Sequence, residues 1–261
     1  VGVIGAGTMG GGISMNFANV GIPVKILEMD QAALDKGLGI VKKNYEASAW
    51  KGRISSEDVD VRMGLIEGTT NYSDLKDVDL VIEAVFENMD VKKEVFSKLN
   101  ETVSENTILA SNTSYLDIDE IATVVDNPER VLGMHFFSPA NIMRLLEIIK
   151  AEKTSPAILA TVLRLAKNIK KVGAVAGVCH GFIGNRMLTG YSREANLLVL
   201  EGAPPEQVDR VLYEFGMPMG VIAMADMAGI DIGTRLRQQM DESDYDVMAT
   251  SVADKLVAQG R

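Results

Sequence analysis

Short, β-rich apolar runs recur at residues 1–5, 23–27, 78–82, 107–110, 131–136 and 145–149, separated by longer stretches of mixed character. Runs this continuous suit strands covered on both faces, as in a parallel sheet. Residues 11–19 follow the first run as a helical stretch, and 35–45 and 91–103 mix charged and apolar positions at helical spacing, which predicts helices exposed on one side. The alternation reads as a mostly parallel sheet layered with helices, continuing to about residue 178. Asn127-Pro128 and Ser138-Pro139 mark loops within it.

Beyond Cys179 the texture changes. Residues 182–202, 205–215, 230–240 and 246–257 carry helical periodicity with no strand-like run between them, and Gly216, Pro218 and Gly220 interrupt it. The expected architecture is therefore α/β, a Rossmann-like domain over residues 1–178 followed by a smaller all-α domain over 179–261. Val1 already lies inside a buried-strand pattern, no Met precedes it, and the last helical stretch stops close to Arg261. The expectation is a piece of a longer chain with a truncated helical domain.

Composition narrows the function. With 36 acidic against 26 basic residues the 261-residue chain carries a formal charge of −10, which argues against nucleic acid or an anionic membrane surface as partner. A compact anion is still compatible, because amides at one helix end act locally. The single cysteine, Cys179, cannot close an internal disulfide and suits a reducing compartment. No apolar run approaches the roughly 18–20 residues of a membrane span. Cys179 is expected to be a buried thiol. It adjoins His180 in extended chain, where the two would point opposite ways, which argues against a nucleophilic pair. Met217, Met219, Met224 and Met227 read as helix packing. No cluster has metal-ligand spacing, so no metal is expected.

Gly5-Ala6-Gly7-Thr8-Met9-Gly10 follows the first strand and opens the first helix, the context in which this spacing has a mechanism. Gly5 permits the turn, Gly7 lets backbone approach a pyrophosphate, and Gly10 lets helix and strand pack closely. Glu28 ends the second strand, 21 residues after Gly7, where a carboxylate can accept hydrogen bonds from ribose hydroxyls. It would repel a 2′-phosphate, and no Arg follows at once, so NAD is favoured over NADP.

Hydride transfer from an alcohol needs a base for the hydroxyl proton. His135 stands near the end of the 131–136 strand, in Met134-His135-Phe136-Phe137-Ser138-Pro139, and Glu147 interrupts an apolar strand twelve residues on. A buried carboxylate needs a partner, and a neighbouring imidazole would serve. Pattern alone leaves open a core histidine and an edge-strand glutamate facing water. Ser111-Asn112-Thr113-Ser114 follows a strand and could address a substrate oxygen or cap the next helix. Asn185, in Gly181-Phe182-Ile183-Gly184-Asn185-Arg186, could reach a cleft or lie on a helix surface.

These motifs together with Glu83-Ala84-Val85-Phe86-Glu87-Asn88, in this order over essentially the whole chain, resemble the 3-hydroxyacyl-CoA dehydrogenase family. Residues 137–140 and 143–147 look most like the dehydrogenase part of multifunctional β-oxidation enzymes. The resemblance implies His135 as acid/base and Glu147 as its orienting carboxylate. It implies Ser114 and Asn185 as partners of the substrate oxygens, and Glu87 and Lys92 as contacts on the nicotinamide side. The implied reaction is reversible, NAD-dependent oxidation of a (3S)-3-hydroxyacyl-CoA. The chain departs from the family at Val221-Ile222-Ala223-Met224, where Pro is usual. The implied assembly is a homodimer or half of a pseudo-dimer, in the cytoplasm of a bacterium or the peroxisome of a eukaryote. Two alternatives stand beside this: a dehydrogenase of a small 3-hydroxy acid using a lysine as acid/base, and a non-catalytic dinucleotide-binding relative.

Overall fold

The computed structural model describes residues 1–237 and 245–260. The chain divides into two compact units, Val1–Ile183 and Gly184–Arg261. In the first, β1 (Gly2–Ile4), β2 (Val24–Leu27), β3 (Ile66–Thr69), β4 (Leu80–Glu83), β5 (Ile108–Ser111), β6 (Val131–Phe136), β7 (Leu145–Lys150) and β8 (Val172–Gly177) form one sheet in the order β3-β2-β1-β4-β5-β6-β7-β8. Every neighbouring pair is parallel except β6 and β7. Strand order reverses between β1 and β4, which opens a crevice at their C-terminal ends.

The expected α/β sheet is present, with two strands that the apolar pattern does not show. In β3, only Ile66 and Thr69 are buried, and Glu67 and Gly68 between them are exposed. In β8, Val-Gly-Ala-Val-Ala-Gly buries only Ala176. Both are sheet edges, where one side of the strand has no neighbour to demand apolar residues.

Helices cover both faces because strand residues alternate sides. Val3, Leu80, Ile82, Leu132, Met134, Phe136, Leu146 and Ile148 face one core with α1 (Thr8–Ala18), α2 (Gln31–Trp50), α3 (Ser56–Met63) and α6 (Pro156–Asn168). Ile4, Val81, Leu109, Val131 and Ile149 face the other, with α4 (Met89–Thr102) and α5 (Ile118–Ala122). α3 has a reciprocal cap: the Ser55 hydroxyl accepts from the Asp58 N–H and the Asp58 carboxylate accepts from the Ser55 N–H.

The second unit contains α7 (Gly184–Leu200), α8 (Pro205–Phe215), α9 (Val221–Ala228), α10 (Ile230–Arg237) and α11 (Val247–Ala258). The expected helix over 230–240 is observed to Arg237, and 238–240 lie outside the described residues. Ala195, Val208 and Val221 form its small core, with Leu212, Ile222 and Met224 packed around them. Met227 is exposed instead of packed. The departure at Val221 leaves the start of α9 intact: the Asp209 carboxylate accepts from the N–H groups of Ile222 and Ala223 at 2.9 and 2.8 Å, a cap supplied by the neighbouring helix. The thiol of Cys179, expected to be buried, is exposed, because it sits at a tight turn leaving the sheet, with Sγ 3.6 Å from the Phe182 carbonyl.

Tyr45 ties α2 to α1, its hydroxyl 3.2 Å from the Met15 carbonyl and 3.1 Å from Asn19 Oδ1. Burial pushes its pKa up to about 12, against a small opposing pull from Arg62. The folded state thus holds this phenol neutral above the pH where an unfolded chain ionises it, so its stabilisation is full below pH 10 and is lost as pH rises toward 12. Tyr45→Phe is expected to cost about 1 kcal/mol at neutral pH, a deficit that vanishes by about pH 11 as the wild-type protein alone loses this contribution. Urea unfolding at the two pH values measures the difference.

Candidate active site

β6 ends in His135-Phe136 and β7 returns antiparallel, in a register that places His135 directly opposite Glu147. Both side chains project to the face of α4 and α5, and both are buried, His135 4% and Glu147 0% exposed. His135 Nδ1 lies 2.7 Å from Glu147 Oε2. A carboxylate oxygen accepts, so Nδ1 carries the proton and Nε2 of the neutral ring is left as the basic nitrogen. Glu147 Oε1 accepts a second hydrogen bond from the Ile183 N–H at 3.0 Å. The edge-strand reading of Glu147 is excluded, because β7 is flanked by β6 and β8.

The imidazole sits between two aromatic rings, Phe137 at 4.4 Å and Phe182 at 5.8 Å between centroids. Phe182 is buried and adopts a left-handed backbone, φ +47°, after Gly181 at φ +70°. A non-glycine residue in that region costs on the order of 1–3 kcal/mol. This strained turn packs Phe182 against His135 and aims the Ile183 amide at Glu147. The motif had drawn notice for Asn185. That residue opens α7 in the second unit, where it is half-buried.

After β5 the chain forms a loop whose backbone is gripped by Glu87. Glu87 Oε1 accepts from the Thr113 hydroxyl at 2.5 Å, the Ser114 N–H at 2.9 Å and the Tyr115 N–H at 3.2 Å. The capping role falls to Asp117, whose side chain accepts from the N–H groups of Asp119 and Glu120 at the start of α5. Ser114 is half-buried, and its hydroxyl donates to no neighbour among the described residues. Lys92 is 1% exposed, with its ammonium 2.7 Å from Glu83 Oε1 and 3.3 Å from Glu87 Oε2. Glu83 was given no role of its own in the sequence, where it stands only as the first residue of the Glu83-Ala84-Val85-Phe86-Glu87-Asn88 motif. Asn112, named only as part of the polar run 111–114, has a tie of its own: its Oδ1 accepts from the Phe136 N–H at 2.8 Å and so joins the β5 loop to the end of β6.

At the β1/β4 crevice, α1 starts at Thr8 with no side-chain cap, Gly7 and Thr8 are exposed and Met9 is half-buried. A Cβ on Gly7 would meet nothing within 4 Å, leaving the helix end open, whereas a Cβ on Gly10 would fall 1.8 Å from the Gly5 carbonyl oxygen. A Cβ on Gly37 of α2 would fall 2.2 Å from the Ala6 carbonyl oxygen, so that helix also packs directly on the loop. Glu28 accepts from the Ala6 N–H at 3.0 Å and the Met29 N–H at 2.8 Å, which shapes the loop and leaves part of its acceptor capacity open. A cleft of about 280 Å³ runs past Gly5 and Glu28 between Met29, Tyr72, Phe86 and Lys98. An uncapped helix start beside a half-open carboxylate and an apolar-walled cleft fits a dinucleotide. Among the described residues no group of three or more His, Cys, Asp or Glu could hold a metal ion, and no helix is long and apolar enough to cross a membrane.

A doubly wound sheet with a dinucleotide cradle at its switch point and a buried histidine–carboxylate pair at a strand end defines a nicotinamide-dependent oxidoreductase. The chain belongs to the 3-hydroxyacyl-CoA dehydrogenase family, its residues 1–179 matching the NAD binding domain and 181–261 the C-terminal domain. It is 44% identical over 98% of its length to the peroxisomal bifunctional enzyme of Cavia porcellus, and 39% identical over 93% to a peroxisomal fatty acid β-oxidation multifunctional protein of Arabidopsis thaliana. It spans about a third of each, 35% and 34%. Among solved structures, the (S)-3-hydroxybutyryl-CoA dehydrogenase of Ralstonia eutropha is 35% identical with a TM-score of 0.89, over 99% of this chain and 93% of that one.

Gly10→Ala should force α1 away from the glycine loop. The expected result is a loss of roughly 1–3 kcal/mol of stability together with NADH affinity weakened at least about tenfold, since the helix end that faces the diphosphate moves with it. Thermal unfolding and NADH fluorescence titration measure the two effects.

Proposed function

We propose that the chain catalyses reversible oxidation of a (3S)-3-hydroxyacyl-CoA to the 3-oxoacyl-CoA, with NADH and a proton as the other products. The buried His135–Glu147 hydrogen bond carries this reading, because it leaves one basic imidazole nitrogen held in a fixed orientation by a carboxylate. His135 Nε2 takes the proton of the 3-hydroxyl group as the C3 hydride leaves. Glu147 stabilises the imidazolium so formed and returns it to the same tautomer when the proton departs. The Ser114 hydroxyl, whose backbone is anchored by Glu87, donates to the substrate oxygen, and Asn185 supplies a second polar group. NAD, when bound, supplies the hydride acceptor. Gly5, Gly7, Thr8, Met9 and Gly10 would hold its diphosphate and Glu28 its ribose, with Glu87 and Lys92 on the nicotinamide side.

The alternative of a lysine acid/base finds no support in the buried lysines. Lys92 is held between two carboxylates, and the Lys171 ammonium donates to the carbonyls of Ala140 and Met143 at 2.6 Å each. The relatives named peroxisomal support a peroxisomal setting if the source is eukaryotic; a bacterial source implies the cytoplasm. Exposed Val211, Tyr213 and Phe215 on α8 support assembly with a second copy or a second dehydrogenase-like half.

With acetoacetyl-CoA as substrate and NADH consumption as readout, His135→Gln is expected to lower kcat by about a hundredfold or more while NADH affinity stays within about twofold. Loss of NADH binding would remove His135 from the catalytic role, and a wild-type protein that binds NADH without turnover would support the non-catalytic alternative. Glu147→Gln should also cost roughly a hundredfold or more. Its amide can donate to Nδ1 and so strand the proton on Nε2. An unchanged kcat there would show that the carboxylate does not set the tautomer.

A further inference from the structure

Glu83 is 0% exposed at the end of β4, and two of the three hydrogen bonds its carboxylate accepts lead toward the loop that bears Ser114. Oε1 accepts from the Lys92 ammonium at 2.7 Å and the Val85 N–H at 2.7 Å; Oε2 accepts from the Ser111 hydroxyl at 2.6 Å. Two chains of contacts continue outward. Through Ser111, whose oxygen accepts from the Thr113 N–H at 3.3 Å, the carboxylate reaches the loop backbone directly. Through Lys92 it reaches Glu87, which in turn holds the Thr113 hydroxyl and the amides of Ser114 and Tyr115. Both routes end on residues 113–115, a segment outside helix and strand that is also held by its own turn contacts and by the Tyr115 ring against His180.

We propose that Glu83 is a positioning residue for the substrate-binding loop, setting the Ser114 hydroxyl through Ser111 on one side and through Lys92 and Glu87 on the other. The inference rests on the reading of Ser114 as a substrate donor. The division of charge explains why a carboxylate is needed at 83. One ammonium faces two carboxylates, and the tighter contact to Glu83 draws Lys92 inward, so Glu87 engages it through Oε2 alone and keeps Oε1 for the loop. Neutralise residue 83 and the ammonium has a single anionic partner left. It moves onto Glu87, competes with the three loop donors for that carboxylate, and Ser114 loses its anchor. At the same time Ser111 loses the acceptor that orients its hydroxyl. No part of this chain of effects passes through the glycine loop or Glu28, so cofactor affinity on the adenosine side stays out of it.

The test is a double-mutant cycle on the full chain, with acetoacetyl-CoA and NADH as probes. Glu83→Gln should lower kcat on the order of tenfold, while the Kd for ADP-ribose, which lacks the nicotinamide end that Glu87 and Lys92 face, changes by less than about twofold. Placed on top of Ser114→Ala, which alone should cost on the order of a hundredfold, the same change should cost less than about twofold, because the group it positions is already gone. Ser111→Ala breaks only the hydroxyl route and keeps the buried charges, so it runs the same cycle should Glu83→Gln fail to fold. It is expected to show a smaller loss that likewise disappears beside Ser114→Ala. Losses that multiply in full with that of Ser114→Ala in an active, folded protein would overturn the positioning role and leave the proposed reaction standing. A wild-type chain with no turnover would overturn both.

Discussion

The hydrogen bond between His135 and Glu147 depends on the one antiparallel step in the sheet. Parallel neighbours must be joined by a crossover of a dozen or more residues and could not bring two positions twelve apart onto adjacent strands face to face. The β6–β7 return does so, and the alternation of the pleat then sends both side chains to the same side. Gly133 two residues earlier makes the packing possible, since a Cβ there would come within 2.8 Å of the Ile149 side chain opposite. A buried carboxylate without partners would cost several kcal/mol. Glu147 has the imidazole on one oxygen and the Ile183 amide on the other, so the same contacts that make it affordable also orient the base.

A second buried carboxylate, Glu83, shows what distinguishes a site from a strut. Its principal partner is the Lys92 ammonium, which also pairs with Glu87. Glu147 is paired with a ring that, in the proposed reaction, takes up a proton and gives it back. A carboxylate facing a fixed cation has its field already answered, whereas one facing a neutral imidazole keeps a negative potential in reserve for the moment that imidazole takes a proton. Burial, which strengthens both interactions, therefore gives rigidity in one case and responsiveness in the other. The loop after β5 and the end of β6, which lie beside the two carboxylates, are tied together by Asn112.

The sequence made the central strands legible because each is covered on both faces and so reads as an unbroken apolar run. β1, β2, β4, β5, β6 and β7 were visible for that reason, and β3 and β8 were not, because an edge strand is under no such demand. The glycine motif was legible since its spacing reflects close approaches, seen at Gly10, that no other residue allows. Glu147 stood out as a charge in an apolar run, yet Glu83 is the same signal at the end of β4 and was absorbed into a family motif. Phe182 and Ile183 could not be read at all. Their contribution lies in a left-handed backbone and in one amide proton, and neither has a side-chain signature. Cys179 illustrates the reverse: an apolar residue type carries an expectation of burial that the turn at the edge of the sheet overrides.

Parallel topology explains why the remaining groups converge. Successive parallel strands end at the same edge, so the loop after β1, Glu28 after β2, Glu87 after β4 and Ser114 after β5 are gathered there without any one of them specifying the others. Those loops are partly open to solvent, which suits ligand binding and is a poor place for a carboxylate that must act in a low dielectric. A deeply buried carboxylate has to sit on a strand itself, as Glu83 does at the end of β4. In a sheet that stayed parallel, the strand beside β6 would bring its own terminal loop to this edge. Because β7 arrives from the opposite direction, its third residue, Glu147, lies already inside the sheet where His135 ends β6, with Arg144 and Leu145 before it still at the rim. Reversal of a single strand thus places a buried anion directly beside His135, whereas the buried carboxylate that the parallel strands supply, Glu83 at the end of β4, is engaged by the Lys92 ammonium.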